Sequence, residues 1–359
     1  MKDRFHISII IPFYNGAPHI KTCLDSLTKQ DFNKPFEIIL INDSSTDDGV
    51  NIIKMHNIPN LSLHSMAQNS GPGAARNLGL KKAKGEYIFF HDIDDTLDPN
   101  ILTTLYEPAI KKDCDLVFCD RRYIENSQDQ KKNIFSYPAD RYFKNSDIVE
   151  EMKKRWYDPL RLNGITDFTG RLIRRSIIID NKIFFEESLR YMEDETFVWC
   201  LLGYIKNAIY IRKQLCSFFV HENTNTALSE GINRGFNHSN FKLMKNYIQK
   251  SLIRKGVSEL ETQKISDQAF IYCIISTLVS YSRSILLGKI DQKKGAKIRK
   301  RLIKDIISDL DVKNSIKNYT LSKDESYWIP KSITLGFGFL LEIACINRAK
   351  EILKIRRKK

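Results

Sequence analysis

The sequence predicts an α/β protein, a mostly parallel sheet flanked by helices, continued by a helical C-terminal region. Three observations carry this. The runs Ile7–Ile11, Phe36–Ile41 and Tyr87–Phe90 are continuously apolar rather than alternating, as strands buried on both faces are. Helical patterns separate these runs, which argues for a sheet with crossover helices. From about Phe236 to the end the patterns are helical, basic and amphipathic.

Taken in order, Ile7–Ile11 is the first strand and Pro12 ends it. A helix is expected from Ala17 to Lys29. Phe36–Ile41 is the second strand, closed by Asn42 and Asp43, with Ser45 or Thr46 able to cap the next helix. A weaker strand, Leu61–His64, leads to a turn at residues 70–73. Ala74–Lys84 is helical, with Gly85 placed as its stop. Tyr87–Phe90 runs into His91-Asp92-Ile93-Asp94-Asp95. A helix from Pro99 to Lys112 and a strand Leu116–Cys119 complete the pattern. Asn15, Asp43, Asn69 and Asp92 all follow strands, where ligands bind in such sheets. Residues 130–230 mix short elements. This divides the chain into a domain at 1–230 and a basic helical domain at 231–359, the second for acceptor binding, oligomerisation or membrane docking.

The formal net charge of +14 attracts polyanions: nucleic acid, anionic lipid or anionic carbohydrate. No zinc finger, helix-turn-helix or aromatic RNA-reading signature accompanies it, so no nucleic-acid partner is expected. A solvated tail and a basic polyanion-binding protein remain the other readings of that charge. The seven cysteines are scattered without paired metal spacing, as reduced thiols in a cytoplasmic protein would be. The charged start predicts no secretory signal. Ala269–Tyr281 is short for a membrane span, and the apolar stretch from Ser332 to Ile346 is broken by Glu342.

Asp92, Asp94 and Asp95 fall within four residues at a strand end. Carboxylates this crowded repel unless a cation lies between them. Hard oxygen ligands suit Mg²⁺ or Mn²⁺, which leave coordination sites for phosphate oxygens. Asp95 or Asp98 could instead cap the following helix, and Asp98 is read as only a cap. Asp43 is either a turn former or an acceptor of hydrogen bonds from a base or ribose. Asp47 and Asp48 read as first-turn helix acids.

Four segments together, Ile11-Pro12-Phe13-Tyr14-Asn15, Asn42–Asp48, Asn69–Asn77 and Asp92-Ile93-Asp94-Asp95, resemble family 2 glycosyltransferases of the GT-A fold in order and spacing. Ser44 stands where that family often has glycine. The resemblance implies that Pro12, Tyr14 and Asn15 line a nucleotide pocket and that Asp43 contacts the uracil or ribose side. It implies that Asn69 and Arg76 border the base and diphosphate, that Asp92 bridges donor and metal, and that Asp94 coordinates the metal. Arg76 has a second reading, an ion pair holding the third helix in place.

Inverting transfer needs a carboxylate that takes the acceptor proton. Tyr191-Met192-Glu193-Asp194-Glu195 precedes an apolar helical stripe, so Asp194 falls near a helix N-terminus, where the positive dipole favours its ionised form. The family's Glu-Asp motif at this place marks Asp194 as base and Glu193 as its neighbour that orients acceptor or base, with Glu195 in reserve. Capping alone would explain one of these acids. Phe218–Thr224 resembles a family segment that makes His221 a third metal ligand or phosphate contact, although Phe219 replaces a common arginine. The implied function is an inverting, metal-dependent transfer of sugar from a nucleotide diphosphosugar, a UDP-sugar by resemblance, to a hydroxyl of a glycan or lipid-linked glycan in cell-surface polysaccharide synthesis. An anionic membrane surface and self-association are further expected partners. A catalytically idle nucleotide-binding scaffold of the same fold is the alternative. Acceptor contacts are expected around residues 156–175, Asp167 and Arg171 among them.

Overall fold

Ile7–Phe13 (β1) is buried along its whole length at the centre of a mixed sheet. It pairs in parallel with Phe36–Asn42 (β2) on one side and with Tyr87–Phe90 (β4) on the other, and Leu61–Ser65 (β3) extends the sheet beyond β2. Pro12 does not end β1. β4 stops opposite Ile10, so Pro12 pairs only with Ile41 of β2, and its missing N–H is tolerated in a segment flanked on one side.

The remaining strands are Thr96–Leu97 (β5), Leu116–Glu125 (β6), Gln128–Asp129 (β7), Arg141–Phe143 (β8), Arg171–Arg174 (β9) and Ala208–Val220 (β10). The main path runs β3-β2-β1-β4-β9-β6-β10-β5. β9 lies antiparallel to both of its neighbours, so the sheet is mixed where the alternation of strands and helices suggested a mostly parallel one. β9 is short and begins and ends in arginine; only Leu172 and Ile173 carry its apolar signal, and both are buried.

The helices of this half are Ala17–Thr28 (α1), Gly49–Met55 (α2), Pro72–Lys82 (α3), Ile101–Lys111 (α4), Asn145–Lys154 (α5), Arg175–Asp180 (α6) and Glu193–Leu202 (α7). Ile20, Cys23, Leu24 and Leu27 of α1 and Leu102, Leu105 and Ala109 of α4 bury against Ile9, Ile11, Phe89 and Val117 of the sheet. Gly85 is not the stop of α3, which ends at Lys82 with Ala83 as its cap. A Cβ on Gly85 would lie 2.5 Å from the Ser8 amide nitrogen, so the residue is glycine because the chain there passes against β1.

The structure is a computed structural model that describes residues 5–125, 128–129, 135, 137–158, 164–189, 191–220, 238–321 and 325–357. The chain divides into two units. The first holds Met1–Arg155 and Leu160–His221, and the second Trp156–Pro159 and Glu222–Lys359.

The second unit is helical: Ser239–Arg254 (α8), Glu259–Leu286 (α9), Gln292–Ser308 (α10), Leu310–Ser315 (α11), Trp328–Leu335 (α12) and Gly338–Arg357 (α13). α9 is long and apolar enough to cross a membrane, but 72% of its apolar window is buried within protein, as in the central helix of a bundle. Ser258, Asp291 and Asp309 cap α9, α10 and α11 by accepting from backbone amides of the first turn. The expected apolar stretch across residues 332–346 is two helices, and the break falls at Gly336 (φ 70°), not at Glu342. Glu342 continues α13 and pairs with buried Arg299 of α10 at 2.9 Å.

Candidate active site

The carboxyl ends of β1, β2 and β4 present three loops, and short polar contacts lock them together. The Asn15 amide donates to Ser45 Oγ (2.9 Å), and the Thr46 amide donates to Asn15 Oδ1 (2.8 Å). Ser45 and Thr46 therefore tie the β2 loop to the β1 loop rather than capping α2, whose cap is Asp48. Asp47 Oδ2 accepts from the Ala17 amide at the start of α1 (2.8 Å), where the dipole favours an acid. Asn15 and Ser44 adopt left-handed backbone (φ 52° and 60°), a conformation asparagine tolerates. Pro12 is buried beneath this layer, whereas Tyr14 is exposed.

Asp43 is 3% exposed. Its amide donates to the Phe13 carbonyl (2.8 Å), and its two carboxylate oxygens each accept a backbone amide, from Ser70 and from Gly71 (2.7 Å each). These bonds fill the turn-forming role expected of it. It fastens the loop before α3, where Gly71 takes φ 92°, a conformation open to glycine. Asn69, two residues before Gly71, is exposed.

Arg76 on α3 is the hub of the site. Its Nη2 donates to Asp92 Oδ1 (2.9 Å) and its Nη1 to Glu193 Oε1 (3.1 Å). The guanidinium lies 4.8 Å from the Phe168 ring centroid and is buried, so its pair with buried Glu193 is poorly screened, while half-buried Asp92 keeps some solvent. The next residue, Asn77, accepts from the Phe185 amide (2.8 Å) and donates to the Phe185 carbonyl and Glu187. Gly73, one turn earlier, leaves room for Glu193, whose Cγ would lie 3.3 Å from an added Cβ. α3 thereby holds the strand-end acid Asp92 and the first turn of α7 in one cluster.

Glu193, Asp194 and Glu195 are the first three residues of α7, preceded by Met192 in left-handed backbone (φ 64°). Asp194 Oδ1 accepts the Glu195 amide (2.8 Å), and Glu195 accepts from Trp199 Nε1 (3.1 Å). Burial raises the pKa of Asp194 against the pull of Arg76; burial, reinforced by Asp194, raises that of Glu193. A carboxylate whose proton affinity is raised is a better general base. Asp194 and Glu195 line a cleft of about 280 Å³ with Arg121, Arg155, Thr166, Asp167, Phe168, Thr169 and Phe218. Arg121 Nη1 donates to Asp167 Oδ1 (2.6 Å) and Thr169 Oγ1 (2.8 Å). Burial works to raise Asp167, but Arg121 overrides it and holds the carboxyl down at about 2. Arg171 sits away from this cleft lining, donating to the Gly164 and Ile165 carbonyls.

The acid cluster after β4 separates into different environments. Asp92 and Asp94 are half-buried. Asp95 is buried and accepts from the Phe219 amide (3.2 Å); burial, with Asp92 and Asp94, pushes its pKa up to about 9, so it is protonated at neutral pH. Arg76 at Asp92 and the proton on Asp95 thus relieve part of the expected repulsion. Asp98 does not cap α4 with its side chain, which pairs with Arg122; Asn100 is the cap. Among the described residues no group of three or more His, Cys, Asp and Glu side chains forms a metal cage. Asp92 and Asp94 are the two carboxylates that would be available to a magnesium ion whose shell a diphosphate completes. His221 lies outside the described residues.

Sequence reasoning missed Arg121 and Arg155, whereas Thr169 falls within the stretch 156–175 that the sequence singled out. No motif surrounds the two arginines; Arg121 reaches the cleft through the pairing of β6 with β9 and β10, and Arg155 from the end of α5. The arginine pair after Cys119 was the only available signal.

A sheet with acids beyond its central strand ends, tied through one arginine to acids opening a later helix, defines an α/β group-transfer enzyme of GT-A architecture. Residues 8–180 match the family model described as glycosyl transferase family 2. The Escherichia coli (strain K12) glycosyltransferase YibD is 26% identical over 353 residues, covering 95% of this chain and 92% of YibD. The poly(ribitol-phosphate) beta-N-acetylglucosaminyltransferase TarS of Staphylococcus aureus (strain Mu50) is 30% identical over 194 residues, covering 53% of this chain but 31% of TarS. The crystal structure of S. aureus TarS 1-349 in complex with UDP-GlcNAc superposes with a TM-score of 0.69 at 19% identity, covering 97% of this chain and 92% of that one; this likeness speaks to the fold. Residues 8–180 belong to glycosyl transferase family 2, and the protein is a glycosyltransferase.

Proposed function

We propose that the chain is an inverting transferase that moves a hexosyl or N-acetylhexosaminyl group from a UDP-sugar to a hydroxyl of a glycan or lipid-linked glycan in surface-polymer synthesis. The observation that carries this is Arg76, whose two bonds join Asp92 at the β4 end to Glu193 beside Asp194. Inversion needs a leaving-group side and a base side facing one anomeric carbon, and these acids are their counterparts here. The relatives support the substrate class: TarS is a poly(ribitol-phosphate) beta-N-acetylglucosaminyltransferase and has been crystallised with UDP-GlcNAc. A polyhydroxylated polymer is the acceptor this reading favours.

In the proposed reaction Asp194 takes the proton from the acceptor hydroxyl as its oxygen bonds to the anomeric carbon and the bond to the diphosphate oxygen breaks. Arg76 and Glu193 hold Asp194 and Asp92 in place. Pro12, Tyr14, Asn15, Asp43 and Asn69 border the nucleotide. The cleft with Arg121, Asp167 and Thr169 receives the acceptor. Asp92 and Asp94 would hold Mg²⁺ or Mn²⁺, with His221 as a further ligand, and a bound cation would neutralise charge on the departing diphosphate. All seven cysteines are free thiols, which fits a reducing cytoplasmic compartment where nucleotide sugars are available.

A thermal-shift screen of nucleotide sugars with and without Mn²⁺, followed by UDP-release assays, tests the reading. Stabilisation by UDP-sugars that depends on the cation supports it. Stabilisation by another nucleotide class alone overturns the donor assignment.

A further inference from the structure

The charge of this chain is confined to one part of it. Residues 1–221 hold 30 basic and 30 acidic residues, whereas residues 222–359 hold 27 basic against 13 acidic, so the whole +14 excess lies in the second part. Within the second unit, Lys293, Lys297, Lys300, Arg301 and Lys304 are all exposed on α10. Their spacing, i, i+4, i+7, i+8 and i+11, places them on one helix face. Arg299, Leu302, Ile303 and Ile306 are buried on the opposite face. None of the five cations is ion-paired to a described residue.

Large apolar side chains are exposed beside this stripe. The corner between α12 and α13 carries Leu335, Phe337 (55% exposed), Phe339 (74%) and Leu340, and Trp328 at the start of α12 is 64% exposed. The corner packs along one edge of α10: a Cβ on Gly338 would lie 3.2 Å from Ile303 on the buried side and 3.3 Å from half-buried Ile307, about one turn after Lys304 at the border of the stripe. The Arg299–Glu342 ion pair fixes α13 to α10 at the same place.

We propose that α10 and the α12–α13 corner form a docking surface for an anionic phospholipid bilayer. Cations at headgroup level and aromatic side chains at the acyl boundary are the two features such an interface takes together. A second copy of this chain would bring an identical unneutralised stripe and be repelled. A nucleic acid would use the cations and leave the exposed phenylalanines without a role. The surface is independent of donor chemistry, so the proposal stands or falls apart from the transfer reaction.

The full chain is sedimented with vesicles of phosphatidylcholine alone and with phosphatidylglycerol added, at low and high salt. It should pellet with the anionic vesicles at low salt. A K297E/K300E/K304E variant should bind at least about tenfold more weakly, and an F337S/F339S variant should lose affinity as well. Both should keep the wild-type melting temperature and UDP release, since every changed side chain is exposed and outside the active site. The proposal is overturned by equal pelleting with both vesicle types, by either variant binding as wild type, or by light scattering that shows a dimer dissolved by F337S/F339S. Retention on DNA that the phenylalanine variant leaves intact, combined with no vesicle binding, would assign the stripe to nucleic acid instead.

Discussion

Arg76 and Glu193 lie 117 positions apart in sequence, yet their side chains meet at 3.1 Å in a buried ion pair. The same guanidinium holds Asp92 at 2.9 Å, so one cation joins the end of β4 to the first turn of α7. Removing it strands Glu193 in a poorly solvated place and leaves half-buried Asp92 without this partner.

Arg76→Met should therefore reduce both stability and transfer. A buried ion pair that loses one partner costs about 3–5 kcal/mol. Urea unfolding of the variant should register a loss of that order, and UDP release should fall by more than the folded fraction accounts for. A variant with wild-type stability would mean that the ion pairs are not structural.

Asp194→Asn should abolish transfer at unchanged fold. A general base contributes about a hundredfold or more, and the amide keeps the carbonyl oxygen that accepts the Glu195 amide. Donor binding should persist in calorimetry. Turnover close to wild type would move the base assignment to another residue, with Glu195 the next candidate.

Asp94→Ala isolates the cation. The variant should melt at the wild-type temperature without ligands but lose the extra stabilisation that UDP and Mn²⁺ together give the parent. If that stabilisation survives, Asp94 is not a ligand of the metal.

The Asp167–Arg121 pair predicts an acid-sensitive contribution to stability. Arg121 holds the Asp167 carboxyl at about 2, below its ordinary 3.8. A depressed carboxylate stabilises the fold above its unfolded pKa and loses that contribution as the proton binds on acidification. Each tenfold change in proton affinity is worth roughly 1.4 kcal/mol, so the pair contributes about 2–3 kcal/mol near neutrality, fading between about pH 4 and pH 2. Unfolding free energies of wild type and Asp167→Asn should differ by that order at neutral pH and converge as the solution is acidified through that window. A constant difference across it would remove the electrostatic explanation.

Where chemistry and strand position coincide, the sequence was legible. Ile7–Ile11, Phe36–Ile41 and Tyr87–Phe90 are strands because unbroken β-branched and aromatic runs have no other economical burial, and the acids that follow them fall at the sheet's carboxyl edge. Long-range partnership was not legible. Arg76 carried two readings of equal standing, and only the fold brings Phe168, Asp92 and Glu193 around it. β9 escaped notice because two apolar residues between arginines make no period, and Arg121 because its partner Asp167 lies 46 residues away. Gly85 was misassigned because a glycine past a helix reads as its stop, while its actual constraint, the close approach to Ser8, is 77 positions distant.

The cross-bracing of the loops after β1 and β2 has a consequence for recognition. Asn15, Ser45, Thr46, Asp43 and Asp47 spend their hydrogen bonds on neighbouring backbone and on one another, so the entropy of ordering these segments is lost when the chain folds. A nucleotide bound as proposed would then meet a rigid rim, and less of its contact energy would be diverted to immobilising the host. On the same proposal, discrimination between bases would fall to shape and to the few outward groups such as exposed Tyr14, tilting selectivity toward ligands that already match the rim.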